Sequence, residues 1–218
     1  MSGCPLCNSH DCILRTGPDT RAFILCNSCG LIFVPQEYHL APEQEKERYA
    51  LHTNSPCNQE YVKYLSAIAD DALALVNGPA AVLDFGSGRE HVLTDIILSR
   101  GVRCVAHDPL YGLTVSDGQF DIVVACEAFE HLRDPRHSME GIRRLVKPAG
   151  YVYVRTHLYD EALAGDFSAW WYAKDPTHIS FYCMKTLETV SELLGNKIVS
   201  TNRNDTVIFG PGNRQSMA

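Results

Sequence analysis

The sequence predicts an α/β domain with a mostly parallel sheet that lacks one outer strand, preceded by a small zinc ribbon. Short apolar strands alternate with amphipathic helices from residue 80 onward, which is typical of a parallel sheet covered by helices on both faces. A glycine-rich turn follows the first strand, and two Cys-x-x-Cys pairs lie near the N-terminus. We expect a zinc ribbon at residues 1–35, a helical connector at 36–57, the α/β domain at 58–210 and a disordered tail at 211–218.

The composition limits the classes of function. With 218 residues and 45% hydrophobic content, the chain can bury one substantial core beside a short module. A net charge of −7 disfavours broad binding to nucleic acids or anionic membranes, so we expect a small-molecule partner. No apolar run approaches the roughly 20 residues of a membrane span, and the N-terminus has no signal-peptide core. We therefore expect a cytoplasmic protein with no membrane partner.

The N-terminal cysteines have the spacing of a metal site. The two pairs are separated by 18 residues and consist of Cys4 with Cys7 and Cys26 with Cys29. This pattern is typical of a structural zinc site with four thiolates, and about 30 residues need such a metal to fold. A hairpin is predicted between the pairs, whereas Cys12 fits neither pair and is expected in the core. A redox-active thiol pair is the alternative, and it requires an exposed thiol of low pKa.

Two helices are predicted before the sheet. Pro42 is placed to begin a polar helix, which we expect to be a solvated connector. Residues 58–76 carry apolar side chains at steps of three and four, the period of an amphipathic helix. The sequence Asn-Gly-Pro at 77–79 should end this second helix.

The remaining elements follow from periodicity and turn residues. Only 11 residues separate Asp108 from Phe120, too few for a crossover helix and another parallel strand. The sheet should therefore lack the strand beyond its second one, and this segment should be a loop over the cleft. Strands are predicted at 81–85, 102–108, 120–126 and 151–156, helices at 89–100, 138–146 and 186–195, and an antiparallel pair within 197–210.

The glycine-rich turn indicates the kind of ligand. It reads Asp84-x-Gly86-x-Gly88-x-Glu90, so the third glycine of a dinucleotide fingerprint is absent and two carboxylates flank the turn. Carboxylates repel a phosphate but accept hydrogen bonds from a cationic ligand, and S-adenosylmethionine has both a sulfonium and an ammonium group. Ligands of such sheets bind at the carboxyl ends of the strands, where Asp108 is also expected.

Four stretches resemble, in order, the motifs of class I S-adenosylmethionine-dependent methyltransferases. They are "VLDFGSG" at 82–88, "AHDP" at 106–109, "FDIVVACEAFEHLRDP" at 120–135 and "LVKPAGYVYVRT" at 145–156. Residues 48–54 and 170–182 are similar to a bacterial subgroup in which a zinc ribbon precedes a small methyltransferase domain of largely unassigned substrate. The resemblance implies a Rossmann-like methyltransferase sheet.

The resemblance also implies a set of cofactor-binding residues. The glycine turn would border the methionine part of the cofactor, Asp108 would accept hydrogen bonds from the ribose hydroxyls, and residues 126–127 would pass near the adenosine or the methionine end. Glu90, where many family members have glycine, is a departure. A structural alternative is that Asp84 caps a helix and Gly88 only forms a turn. The implied residues are Asp84, Phe85, Gly86, Ser87, Gly88, Asp108, Pro109, Cys126 and Glu127.

A carboxylate and histidine cluster follows the third strand of the sheet. If a helix has begun there, Glu127, Glu130 and His131 share one face and bind a second divalent metal, which would lower the pKa of an acceptor hydroxyl. Similar E-x-x-E-H runs occur in metal-dependent methyltransferases, although such a pair is also common without metal. His178 is a distant fourth ligand or a general base. The candidate catalytic residues are His131, His178 and Glu130.

An aromatic run at 170–172, with Phe181 and Tyr182, forms either the roof of an acceptor pocket or a core cluster. Three functions remain open at this point. The first is a methyltransferase for a small-molecule acceptor, with O-, N- or S-methylation. The others are an RNA or protein methyltransferase that uses the ribbon for recognition, and a non-catalytic protein that binds zinc or cofactor.

Overall fold

The computed structural model describes residues 3–51, 54–160 and 167–211 and contains two sheets. The predicted tail falls almost entirely outside the described residues. The strands of the larger sheet are β4 (Ala81–Phe85), β5 (Arg103–His107), β6 (Phe120–Cys126), β7 (Val146–Arg155), β9 (Asn196–Thr201) and β10 (Thr206–Pro211). Their order across the sheet is β5-β4-β6-β7-β10-β9.

The larger sheet confirms the predicted topology. Strands β5, β4, β6 and β7 are parallel, and β10 pairs antiparallel with both β7 and β9. β5 forms an edge of this sheet, so among the described residues the outer strand is missing as predicted. All parallel strands end at the same side, and this fixes the position of the candidate site.

Helices cover both faces of this sheet. α2 (Gln59–Leu73) and α3 (Val92–Ser99) pack on the face that includes Val82 and Val124. α4 (Pro135–Leu145) and α5 (Met184–Leu194) pack on the opposite face, with Leu83 and Val123. Neighbouring residues of a strand pack in different cores because their side chains point to opposite faces of the sheet. None of the described helices has the length and apolarity to cross a membrane.

The N-terminal region forms the second sheet. The predicted hairpin is present as β1 (Cys12–Arg15) and β2 (Phe23–Cys26), and β3 (Ile32–Phe33) extends it. β3 also pairs with β8 (Ser180–Phe181), which comes from the far end of the chain. The ribbon and the C-terminal half of the α/β region are thus joined through one sheet. The division of the chain at 35 and 57 stays a prediction.

The connector helix α1 (Pro42–Tyr49) begins at Pro42 as predicted, but it is not simply solvated. Glu45 forms an ion pair with Arg133 at 2.8 Å, and Arg48 forms one with Asp175 at 2.7 Å. α1 is therefore fixed against the α/β region by its inner face.

Three helices begin at other positions than predicted, among them α5, which starts at Met184 and not at residue 186. α3 starts at Val92 instead of residue 89, because Gly86, Gly88 and His91 all have positive φ and prolong the turn. α4 starts at Pro135, three residues before the predicted start, because the side chain of Asp134 caps it by accepting a hydrogen bond from the His137 N–H at 2.9 Å.

Candidate functional site

A cleft of about 1970 Å³ lies at the carboxyl ends of the parallel strands. The glycine turn and residues 107–111 form one wall, and residues 126–131 form its floor. α1, α2 and residues 171–178 form the other walls. The loop after β5 therefore borders the cleft as predicted.

The glycine turn has a conformation that needs glycine. Gly86 has a φ of +79°, and a Cβ there would come within 2.5 Å of the Ala128 Cβ. This close contact brings the turn against the end of β6. Phe85 stacks on His107 at 5.1 Å between ring centroids, and Ser87 lines the cleft beside it.

Asp84 lies behind the turn. Its side chain is buried, with 2% exposure, and accepts a 2.8 Å hydrogen bond from the Thr94 hydroxyl in the first turn of α3. Burial raises the pKa of Asp84 to about 6, against the opposing effect of the hydrogen bonds from Thr94. The structure thus gives Asp84 the helix-capping contact that the sequence left as an alternative.

Asp108 presents its carboxylate at the end of β5. Oδ2 accepts a hydrogen bond from the Gly88 N–H at 2.9 Å, and Oδ1 accepts one from the Leu110 N–H at 3.1 Å. Burial raises the pKa of Asp108, whereas these two hydrogen bonds lower it. Asp108 and Pro109 line the cleft, so a carboxylate tied to the glycine turn borders it.

Cys126 and Glu127 form the floor of the cleft. Glu127 has a φ of +48°, a strained conformation for a residue other than glycine, of the kind that clusters at functional sites. Its carboxylate accepts hydrogen bonds from the hydroxyls of Tyr64 at 3.4 Å and Tyr172 at 3.3 Å. Burial, together with the charge of Glu130, raises the pKa of Glu127 to about 8. Burial also raises the pKa of Cys126.

The predicted helical face of Glu127, Glu130 and His131 is wrong. Residues 129–131 form a short 3₁₀ turn, and the positive φ of Glu127 turns its backbone away from a helical path. The structure instead brings Glu130 and His131 together with His178, which the sequence predicted as a distant fourth ligand or a general base. Their ligand atoms lie within 4.8 Å of one another.

The aromatic segment lines the cleft with some residues and packs in the core with others, and the role of an acceptor roof stays a prediction. Trp171 is 62% exposed and lines the cleft, and Tyr172 lines it from a buried position. Trp170 packs on Phe181 at 5.9 Å between ring centroids, and Tyr182 is fully buried. The segment therefore provides one cleft wall and part of the core.

The four N-terminal cysteines cluster as their spacing predicts. Sγ of Cys4 lies 3.6 Å from Sγ of Cys29, and Sγ of Cys7 lies 3.5 Å from Sγ of Cys26. All four sulfurs lie within 4.8 Å of one another, which fits a tetrahedral ion with bonds of about 2.3 Å. Backbone N–H groups of Leu6 and Cys7 also reach the Cys4 sulfur. These residues fit a structural zinc ion.

Several residues at the cleft were not predicted from the sequence. Glu45 and Tyr49 face it from α1, and their spacing of four is the signal that could have revealed a shared face. Arg21 reaches the cleft wall from the hairpin, for which the sequence has no local signal.

The sheet order and the acid and glycine positions at the strand ends define a class of Rossmann-like, cofactor-binding enzymes. A family model described as a methyltransferase domain matches residues 58–201. The chain therefore belongs to this methyltransferase family, and the resemblance to class I S-adenosylmethionine-dependent methyltransferases is confirmed.

Solved structures share the fold at low sequence identity. The 1,6-didemethyltoxoflavin-N1-methyltransferase of Burkholderia thailandensis, with bound 1,6-didemethyltoxoflavin and S-adenosylhomocysteine, is 15% identical with a TM-score of 0.52, covering 90% of this chain and 96% of its own. An O-methyltransferase family protein of the same organism is 20% identical with a TM-score of 0.53, covering 81% and 65%. The mitomycin 7-O-methyltransferase is 16% identical with a TM-score of 0.53, covering 81% and 60%. No curated protein sequence matches the chain.

Proposed function

We propose that this protein transfers the methyl group of S-adenosylmethionine to a small-molecule acceptor. The observation that carries the proposal is the Asp108 carboxylate, which is fixed by the Gly88 N–H and faces the same cleft as the glycine turn. A carboxylate in this position suits the two hydroxyls of a ribose, since it accepts a pair of charge-assisted hydrogen bonds. Two structural neighbours act on small molecules by name, which supports this acceptor class.

The cofactor would lie along the glycine turn. Phe85, Gly86 and Ser87 would border its methionine part, with Asp108 and Pro109 at the ribose and Cys126 and Glu127 near the adenosine or the sulfonium. Asp84 would act indirectly, by capping α3 behind the turn, since its carboxylate is buried against Thr94.

The acceptor would enter between Trp171 and the histidines. Methyl transfer would require an in-line approach of the acceptor atom to the methyl carbon; the bond from the acceptor to this carbon would form as the carbon–sulfur bond breaks, and the electron pair would stay on sulfur. An acceptor hydroxyl or amine must also lose a proton. Glu130, His131 and His178 are the groups that would assist this loss, and burial lowers the pKa of His131 so that the ring is neutral near pH 7.

The four-cysteine cluster would hold a structural zinc ion, since four thiolates leave no open coordination position. Reduced thiolates also fit the reducing cytoplasm, where we place the protein.

Calorimetry with S-adenosylmethionine and S-adenosylhomocysteine tests the cofactor assignment. We expect one site per chain, and Asp108→Asn should weaken binding at least tenfold because the amide cannot accept the same two charge-assisted bonds. Asp117→Asn, an exposed acid of the following loop, is the matched control. Absence of binding by the wild-type protein would contradict the proposal.

The acceptor class needs a separate assay. Formation of S-adenosylhomocysteine is measured with small-molecule extracts and with RNA or protein fractions of the same cells. Turnover only with RNA or protein would refute a small-molecule acceptor, and RNA binding would then depend steeply on salt.

A further inference from the structure

One carboxylate and two imidazoles form a compact group on the acceptor side of the cleft. Nε2 of His131 lies 3.8 Å from Oε1 of Glu130, and the ring centroids of His131 and His178 are 4.9 Å apart. Ligand atoms of all three residues lie within 4.8 Å of one another. An ion with bonds of about 2.0–2.2 Å holds its ligand atoms at most about 4.4 Å apart, so the 3.8 Å between His131 and Glu130 is within its reach.

The hydrogen bonds of the two rings determine where their lone pairs lie. Nδ1 of His131 lies 2.9 Å from the Thr177 carbonyl oxygen, and Nδ1 of His178 lies 2.7 Å from the Tyr172 carbonyl oxygen. A carbonyl oxygen only accepts, so each Nδ1 carries the proton and each neutral ring has its lone pair on Nε2. Histidines that bind metals are held in this way by a carbonyl or carboxylate behind the ring.

The carboxylate of Glu130 is a buried acceptor that lies near Nε2 of His131. The side chain is fully buried, and its Oε2 accepts a 2.9 Å hydrogen bond from the Thr156 hydroxyl. Its Oε1 has no hydrogen-bond partner within residues 3–51, 54–160 and 167–211. An unpaired carboxylate oxygen in the interior is unfavourable unless a cation compensates it.

The backbone holds the group together across a long sequence separation. The Glu130 carbonyl oxygen accepts a 2.8 Å hydrogen bond from the Ile179 N–H, which fixes the 177–179 segment against the 3₁₀ turn. The two carboxylate oxygens of Glu127 accept from Tyr64 and Tyr172, and its carboxyl also lies close enough to Glu130 for the two groups to interact. The backbone hydrogen bond therefore preforms the group of Glu130, His131 and His178, with Glu127 beside it.

We infer that Glu130, His131 and His178 bind a divalent first-row transition metal ion. Two imidazole nitrogens and one carboxylate are a ligand set that such ions prefer, and three protein ligands leave positions open to the cleft. The lone pairs of His131 Nε2 and Glu130 Oε1, whose atoms are 3.8 Å apart, repel each other, and a cation between them removes the repulsion.

The role of this ion rests on the proposed methyl transfer. An acceptor hydroxyl on an open position would lose its proton to solvent, because the cation lowers the pKa of the hydroxyl. The resulting oxygen anion then forms the oxygen–carbon bond while the sulfur–carbon bond of the cofactor breaks. The histidines would therefore act through the ion and not as separate bases.

Manganese is the probe that separates this site from the cysteine cluster. Thiolates select zinc over Mn²⁺, so the protein is first loaded with zinc and then titrated with Mn²⁺, with free Mn²⁺ measured by electron paramagnetic resonance. We expect one Mn²⁺ per chain in the wild type. Glu130→Gln and His178→Gln should weaken binding at least tenfold, whereas the control His137→Gln, on α4 at the cleft edge, should bind as the wild type.

Two further measurements make the outcome decisive. Thermal unfolding without Mn²⁺ checks that the buried Glu130→Gln variant folds, and the His178→Gln variant provides a second test if it does not. Mn²⁺ binding that is absent, or unchanged in both variants, overturns the ion site. S-adenosylhomocysteine binding by the same samples shows whether the proposed cofactor function survives that result.

Discussion

The guanidinium of Arg21 donates a 3.0 Å hydrogen bond to the backbone carbonyl oxygen of His178. The same group reaches the carbonyl oxygens of Ala173 at 2.6 Å and Pro176 at 3.3 Å. Arg21 belongs to the hairpin between the cysteine pairs, whereas residues 173–178 form a wall of the cleft. The ribbon therefore holds the segment that carries one of the candidate site residues.

Replacement of this arginine should loosen the cleft wall. Arg21→Met removes the three charge-assisted hydrogen bonds to this wall and the ion pair with Asp19, and we expect the free energy of unfolding to fall by about 2–3 kcal/mol. Amide hydrogen exchange at residues 172–179 should rise, while S-adenosylhomocysteine affinity stays within about twofold, since Asp108 and the glycine turn are unaffected. Arg15→Met, on the same hairpin, is the control. Unchanged exchange at 172–179 would mean that the strand pair β3–β8 alone fixes this wall.

Loss of zinc should lower the stability of the protein more than Arg21→Met does. We expect about one zinc per chain by elemental analysis, and loss of zinc with a clearly lower melting temperature in Cys29→Ser. Cys12→Ser is the matched control, because Cys12 lies outside the four-sulfur cluster. If Cys12→Ser also loses zinc, or Cys29→Ser keeps it, the assignment of the ligands is wrong.

Local sequence patterns predicted the elements better than their contacts. The alternation of apolar residues and the short span between Asp108 and Phe120 were enough for the sheet and its missing strand, because both depend on local periodicity and chain length. The pairing of β3 with β8 joins residues almost 150 positions apart in sequence, and no local signal encodes it. Sequence reasoning therefore treated the ribbon as a separate unit.

The candidate site shows the same limit. The E-x-x-E-H run suggested one helical face, but a positive φ at Glu127 and a 3₁₀ turn at residues 129–131 replace the helix, while the carboxyls of Glu127 and Glu130 still interact. His178 joined the group through backbone hydrogen bonds that only the folded chain reveals. The motif around Asp84 could be recognised in the sequence. The burial of its carboxylate could not, because it depends on the position of Thr94 in the folded chain.

The exposed indole of Trp171 should contribute to acceptor binding. It packs edge-on against His157 at 5.2 Å between ring centroids, which presents the indole to the cleft. Trp171→Ala should raise KM by about fivefold for an acceptor that the wild type methylates, in line with roughly 1 kcal/mol for an aromatic contact. Tyr38→Ala, an exposed aromatic outside the cleft lining, is the control. An unchanged KM would place the acceptor elsewhere.

The buried carboxyl of Asp84 should make stability depend on pH. Its pKa is raised to about 6 in the folded protein by burial, whereas an unfolded aspartate titrates near 3.9. Between these values the folded state holds a proton that the unfolded state has lost, so stability falls as the pH rises from about 4 to 6. A difference of about two pKa units corresponds to roughly 3 kcal/mol.

Asp84→Asn removes this titration. The free energy of unfolding of the variant minus that of the wild type should therefore increase by about 2–3 kcal/mol from pH 4 to pH 7 in denaturant titrations. Asp117→Asn, which is exposed, should follow the wild type at every pH. A constant difference between Asp84→Asn and wild type would show that the carboxyl is already ionised at pH 4, held so by the hydrogen bonds from Thr94.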